Sequence, residues 1–189
     1  MSLYLEYKNR RSKKLVFRIS PKMDFQKILA QLNELSIPDF GITNEQAIYA
    51  VLELLNNSLR AQRENGKEDP IYLRFSVDPE GFEVYLQDWG GGFDVSSLPY
   101  DLDKAPEEID IHDEEFESYR RENGYLKFGL GLYLAKKTFP GFTLHFIDKN
   151  GSVTSWKDGN SAGTVIQLRA YPNSGKPRKE AQNEEPARI

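Results

Sequence analysis

Three groups of residues have types and spacings that suit chemistry. Glu53 and Asn57 stand four positions apart, so a helix stacks them on one stripe, with Arg60 on the same side. A carboxylate beside a carboxamide can hold a hydrated magnesium ion or orient a water. Asparagine is a middling helix former, so helix propensity gives no reason for Asn57 to be there. The second group is Asp88-Trp89-Gly90-Gly91-Gly92, glycines directly off a strand end. A carboxylate there can accept a hydrogen bond from an exocyclic amino group, as on adenine, and glycines let a backbone approach a flat ring. The third is Lys127-Phe128-Gly129-Leu130-Gly131-Leu132, which runs straight into a helix. Such glycines expose backbone N–H groups where the helix dipole favours an anion, and a phosphate is the natural guest.

Each group also has a plain structural reading. The helix stripe could be a solvated polar face, the Asp88 run a glycine-rich loop with a solvated aspartate, and the last glycines a packing device. Two familiar nucleotide motifs are ruled out. A dinucleotide-binding fingerprint would need a third glycine where Leu134 stands, with a strand immediately before it. The P-loop pattern is absent, since Gly175-Lys176 is followed by Pro177.

The elements that would position these groups are legible in outline. Leu15 to Ile19 alternates as a strand and ends at Ser20-Pro21, and a helix is expected from about Lys22 to Leu35. Thr43 with Gln46 three residues on is a capping-box pattern opening a longer helix. Its apolar stripe is Ile48, Val51, Leu52, Leu55 and Leu59, and it frays into the polar run Arg63 to Asp69. A hairpin follows, with Ile71, Leu73, Phe75 and Val77 on one face, Phe82, Val84 and Leu86 on the returning strand, and Asp78-Pro79-Glu80-Gly81 as the turn.

From about Asp94 to Leu126 the chain is acidic without strong periodicity, the mark of a functional loop or lid. Gly129 to Lys137 reads as a helix, and Phe142, Leu144 and Phe146 as a strand turned at Asn150-Gly151 toward Val153 to Trp156. Gly163-Thr164 opens a last strand carrying Ile166, Leu168 and Ala170. Strands that come as hairpins, with helices grouped before and between them, predict an α+β two-layer sandwich: one mixed or antiparallel sheet with helices on one face.

Composition sets further bounds. At 189 residues the chain suits one domain, taken as 1–171 with a lid at about 94–126 and a disordered tail over 172–189. The absence of cysteine excludes disulfides and thiolate chemistry, and two distant histidines, His112 and His145, argue against a histidine metal site. The net charge of −4 argues against nucleic acid as the main partner, although basic residues cluster at Lys8 to Lys14 and Lys176 to Lys179. No apolar run reaches the length of a membrane span and no signal peptide opens the chain, so the expected location is cytoplasmic.

Taken together and in order, Glu53-x-x-x-Asn57, Asp88-x-Gly90-x-Gly92, a variable loop, Gly129-Leu130-Gly131-Leu132 and Gly163-Thr164 form a five-part pattern. It closely resembles the superfamily that unites DNA gyrase, the ninety-kilodalton heat-shock chaperone, histidine kinases and the mismatch-repair MutL proteins. The resemblance runs from Thr43 to Ala170. It implies a Bergerat-type fold with an ATP site between the long helix, the sheet and a mobile lid. By position, Asn57 would coordinate magnesium and Glu53 would polarise the attacking water or an acceptor hydroxyl. Asp88 would take the adenine amino group, with Gly90 and Gly92 lining the pocket and Thr164 supporting Asp88 or a bridging water. Gly129, Leu130 and Gly131 would meet the phosphates, with Arg60 and Lys127 as compensating cations.

Phe116-x-x-Tyr119 is similar to the phenylalanine box of kinase lids. Kinases usually place glycine where Lys127 stands, and the acidic run from Asp103 to Glu117 should repel a triphosphate unless the lid folds outward.

Length leaves no room for the further domains of the gyrase, chaperone and MutL members. The resemblance then implies a small ATP- or ADP-binding regulator similar to anti-sigma serine kinases, acting on a partner protein, with a homodimer compatible. One alternative is the catalytic domain of a histidine kinase without its phosphoacceptor domain, since neither His112 nor His145 lies in a helical hairpin. Another is a non-catalytic module that senses ATP and switches a partner.

Overall fold

The computed structural model describes residues 3–122, 130–156 and 160–172. The Lys8-Asn9 turn, with both residues left-handed at φ 49° and 62°, folds β1 (Leu5–Tyr7) back on β2 (Arg10–Ser12). Next come β3 (Lys14–Ile19), α1 (Phe25–Asn33) and β4 (Leu35–Ser36). Helix α2 (Asn44–Glu64) leads into the hairpin β5 (Ile71–Asp78) and β6 (Gly81–Asp88). Beyond the glycine run lie two single 3-10 turns at Val95–Ser97 and Pro106–Glu108, then α3 (Glu114–Glu122). Helix α4 (Leu130–Thr138), β7 (Gly141–Ile147), β8 (Val153–Thr154) and β9 (Gly163–Ala170) complete the described chain.

The main sheet has six strands in the order β3-β5-β6-β9-β7-β8, every pair antiparallel. Its pleat puts Ile71, Leu73, Phe75, Phe82, Val84, Leu86, Ile166 and Leu168 on one buried face. The helices cover that face with Ile28, Leu32, Val51, Leu55 and Leu59. Phe40, Phe75, Phe82 and Phe139 form a file of ring contacts through the layer. This is the α+β two-layer arrangement expected from the hairpin pattern.

Local chemistry fixes the ends that matter. Gln46 N–H donates to Thr43 Oγ1 at 3.2 Å and Thr43 N–H to Gln46 Oε1 at 2.9 Å, the reciprocal capping box that starts α2. Asp78 Oδ1 accepts from the N–H groups of Glu80 and Gly81, closing the β5–β6 turn.

Three features differ from the sequence expectations. A separate three-stranded antiparallel sheet, β2-β1-β4, accompanies the main one; its strands are two or three residues long, so no alternation announces them. Helix α1 begins at Phe25 because the Asp24 carboxylate caps Gln26 and Lys27. The acidic loop contains α3, capped by Asp113 accepting from Phe116 N–H at 2.7 Å. The expected tail lies outside the described residues, apart from Pro172.

Candidate functional site

The site is built on the last turns of α2 where they cross the end of β6. Asp88 closes β6 opposite Thr164 of β9, and it is one of the few buried charged residues, at 4% exposed. Its Oδ2 accepts from the Ser58 hydroxyl at 2.8 Å and from the Thr164 hydroxyl, and Oδ1 accepts from Gly90 N–H at 2.8 Å. Three donors leave the carboxylate fixed in orientation with lone-pair capacity to spare.

Helix α2 fastens the following loop along one stripe. Below Ser58, Gln62 Oε1 accepts from Trp89 N–H and its Nε2 donates to the Asp69 carbonyl. One turn on, Asn65 Nδ2 donates to the carbonyls of Gly90 and Ala61, each at 2.9 Å. Gly90 lies so close to the helix that a Cβ there would sit 2.6 Å from Ala61 Cβ. Gly92 has φ +80°, and a Cβ would meet Ser161 Oγ at 2.5 Å and the Phe146 ring at 2.9 Å.

Above this wall is a cavity of about 310 Å³. Leu54, Ala61, Leu132 and Ile166 are among its apolar lining residues, and Asn57, Ser58, Arg60, Glu64, Asn65, Asp88, Ser97, Tyr119 and Thr164 supply polar groups. A chamber with apolar walls and one buried carboxylate suits a heteroaromatic ring bearing an amino group. Asn57 Oδ1 accepts from Arg60 Nη2 at 3.3 Å, and Arg60 also faces Glu64 across 3.8 Å. Burial lowers the Arg60 guanidinium from its ordinary value, while Glu64 and Tyr119 act in the opposite sense.

Glu53 lies one turn before Asn57 and is half-buried, but it does not line the cavity. Helix α4 covers it: a Cβ on Gly131 would fall 2.9 Å from Asn57 Nδ2 and 3.3 Å from Glu53 Cβ. Gly131 therefore lets α4 rest directly on the Glu53–Asn57 stripe. Leu130, half-buried, starts that helix. Lys127 and Gly129 lie outside the described residues.

The segment expected from sequence to form the lid contributes Ser97, Leu98 and Tyr119 to the cavity. Phe116 is buried and stacks on Tyr100 with centroids 5.9 Å apart, and Tyr100 meets Tyr133 of α4 edge-on. Burial pushes the Tyr100 and Tyr119 phenols above their ordinary value. Lys136 Nζ donates to the Leu102 carbonyl, tying the lid to α4. The carboxylates of Asp101, Asp103, Glu107, Glu108, Asp110 and Asp113 are exposed, and those lining the cavity are Asp88 and Glu64. The lid thus turns aromatic rings inward and charge outward.

Asn57, Arg60, Asp88, Gly90, Gly92 and Thr164, singled out from sequence, meet at this one cavity. Glu53 and Gly131 lie beside it. Ser58, Gln62 and Asn65 were not singled out; they recur at helical spacing along α2 and its C-cap, the signal that could have found them. Tyr119, named from sequence together with Phe116, also lines the cavity. Among the described residues, no helix is long and apolar enough to cross a membrane.

The family model for the histidine kinase-like ATPase domain matches residues 26–155. That span runs from α1 to just beyond β8 and contains Glu53, Asn57, Asp88 and Gly131. No curated protein matches the chain.

Proposed function

The chain belongs to the histidine kinase-like ATPase domain family, and from that premise we propose a nucleotide-dependent regulator that moves the terminal phosphate of ATP to a hydroxyl of a partner protein, in the manner of anti-sigma serine kinases. The observation behind this reading is the buried Asp88 cradle at the base of a cavity whose rim carries Asn57 and Arg60. Asp88 accepts a hydrogen bond from the adenine amino group while Ser58 and Thr164 hold it still. The glycines at 90 and 92 clear the plane of the base, and Leu130 and Gly131 stand on the phosphate side.

A magnesium ion suits the donor chemistry here, because one neutral carboxamide oxygen leaves room for phosphate oxygens and waters around a hard cation. Asn57 would hold it through Oδ1, exchanging the Arg60 contact for the metal, and Arg60 would turn to the phosphates. When bound, the ion neutralises charge on the polyphosphate. Glu53 takes the proton of the attacking hydroxyl. The hydroxyl oxygen forms a bond to the terminal phosphorus as the bond to the bridging oxygen breaks, and ADP departs. The unit that does this is taken as 1–171, with 94–126 as its lid.

One observation favours a second reading. The cavity stops at Asn57, one turn short of Glu53. A module that only senses ATP, without transfer, needs nothing beyond that point.

Calorimetric titration with Mg-ATP and Mg-ADP, followed by incubation with γ-labelled ATP and fractionated lysate, separates the two. The transfer reading expects magnesium-dependent binding and acid-stable label on a partner. It also expects Glu53→Gln to bind ATP normally while losing transfer by about 100-fold or more. Tight binding with no label and no phosphate release assigns the sensor instead. Acid-labile label on a partner marks histidine as the acceptor, and failure to bind nucleotide ends both readings.

A further inference from the structure

The β1–β2 hairpin has no part in the cavity and lies outside residues 26–155, the span shared with the family. Lys8, Arg10, Arg11, Lys13 and Lys14 are all exposed. Among the described residues none of them joins an ion pair. Lys8 rests over the Tyr7 ring, and Glu6, directly across the ladder from Arg11, forms no ion pair with it. Among the described residues β2 is an edge strand: it pairs with β1, and no described strand lies on its other side.

Among the described residues, no carboxylate of the acidic segment 94–122 forms an ion pair with this hairpin. Strand β4, which pairs with β1, is tied to the start of α2 by Asn44, whose Nδ2 donates to the Leu35 carbonyl at 3.0 Å. A chain of net charge −4 therefore carries an unpaired basic pole at one end.

Charged residues on an edge strand ordinarily guard it against pairing. One or two lysines suffice for that. Five uncompensated cations do more: they repel the same edge of another copy and attract an acidic strand. Because successive strand residues face opposite ways, Arg10 and Arg11 stand on opposite faces of the hairpin. A nucleic-acid backbone needs its cations on one face, whereas a strand added to the edge meets both.

We propose that the β2 edge is a docking site for an extended acidic segment of a partner protein, which joins the small sheet as an additional strand and sets its carboxylates against Arg10, Arg11 and Lys13. Main-chain hydrogen bonds to the open side of β2 fix the register, and the cations select for acid.

The test is fluorescence anisotropy of the whole chain with a labelled peptide of repeating Glu-Glu-Thr-Thr, which as a strand presents carboxylates on both faces. The same peptide with alternate amides N-methylated and a short DNA duplex serve as competing probes, and sedimentation of the chain alone reports self-association. The proposal expects binding that weakens with salt and falls about tenfold on N-methylation or in Arg10→Glu/Arg11→Glu. No binding of the peptide overturns it. Equal binding of the N-methylated peptide reduces the site to charge alone, and tighter binding of DNA reassigns it. Self-association that disappears in the double variant makes a second copy the occupant. Because N-methylation acts on the probe, the edge-pairing arm stands whatever the variant does to folding.

Discussion

On the sheet side of the cavity, Asp88 is held by Ser58, Thr164 and Gly90, and the loop after it is fastened by Gln62 and Asn65. On the lid side, Tyr119 rides on a short helix whose anchor is the Phe116–Tyr100–Tyr133 set of rings. One wall rests on directional hydrogen bonds from a long helix and paired strands. The other rests on ring packing, which tolerates sliding. A wall of the first kind fixes where a base must sit. A wall of the second kind can release and re-form at smaller cost, which suits a cover over a nucleotide.

The largest expected effect lies on the sheet side. Asp88→Asn puts a carboxamide against two hydroxyls and an N–H that now all converge on a carboxylate. ATP affinity measured by calorimetry should fall by about 100-fold, the scale of one charged hydrogen bond. Urea unfolding should show a loss of about 1–3 kcal/mol from the unsatisfied donors. If stability falls while affinity stays, Asp88 is a structural strut and the adenine reading fails.

The corresponding break on the lid is Phe116→Ala. Buried phenylalanine truncations cost about 3–5 kcal/mol where they sit. Here that loss should appear as local opening. Limited proteolysis within 94–122 should quicken by about 100-fold, while the urea midpoint of the sheet moves little. A comparable loss across the whole chain would show that the two walls unfold as one and would erase the contrast.

Ser58→Ala is a milder probe of the first wall. Asp88 keeps Thr164 and Gly90 and Ser58 acts on the base only through Asp88, so ATP affinity should fall about threefold to tenfold, less than the worth of a direct charged hydrogen bond. A loss as large as that of Asp88→Asn would mean that Ser58 alone sets the carboxylate.

The same contrast governs what the sequence disclosed. The sheet wall was legible because its parts announce themselves: Asp88 and its glycines end an alternating strand, Asn57 breaks an apolar helix pattern, and Thr43 with Gln46 marks where that helix starts. Ser58, Gln62 and Asn65 escaped because their partners are 30, 27 and 25 positions away, and no local rule joins residues across such gaps. The lid was read as an unpatterned acidic loop. Yet Asp113, acids in the first turn of α3 and Arg120 and Arg121 in its last are a helix signature of charge. The small β2-β1-β4 sheet was missed for the opposite reason, since strands of two or three residues are too short to alternate.

The smallest expected effect concerns pH and falls on the lid. Burial raises the Tyr100 phenol above its ordinary value near 10, so the folded lid holds that proton more tightly than an open lid does. The contribution to lid docking is complete below pH 10 and is lost as pH rises through the unfolded value toward the folded one. Tyr119 is shifted in the same direction and adds to the loss. Proteolysis within 94–122 should therefore accelerate above pH 10, before the sheet responds. Tyr100→Phe keeps the stacking on Phe116 but removes the titrating hydroxyl and its hydrogen bond with the Tyr133 backbone, so it should be cut somewhat faster than the parent at pH 7 and lose much of the alkaline rise. An unchanged rise in that variant would place the titration on Tyr119, at the cavity itself, and the lid would then be coupled to Arg60 more tightly than to its aromatic anchor.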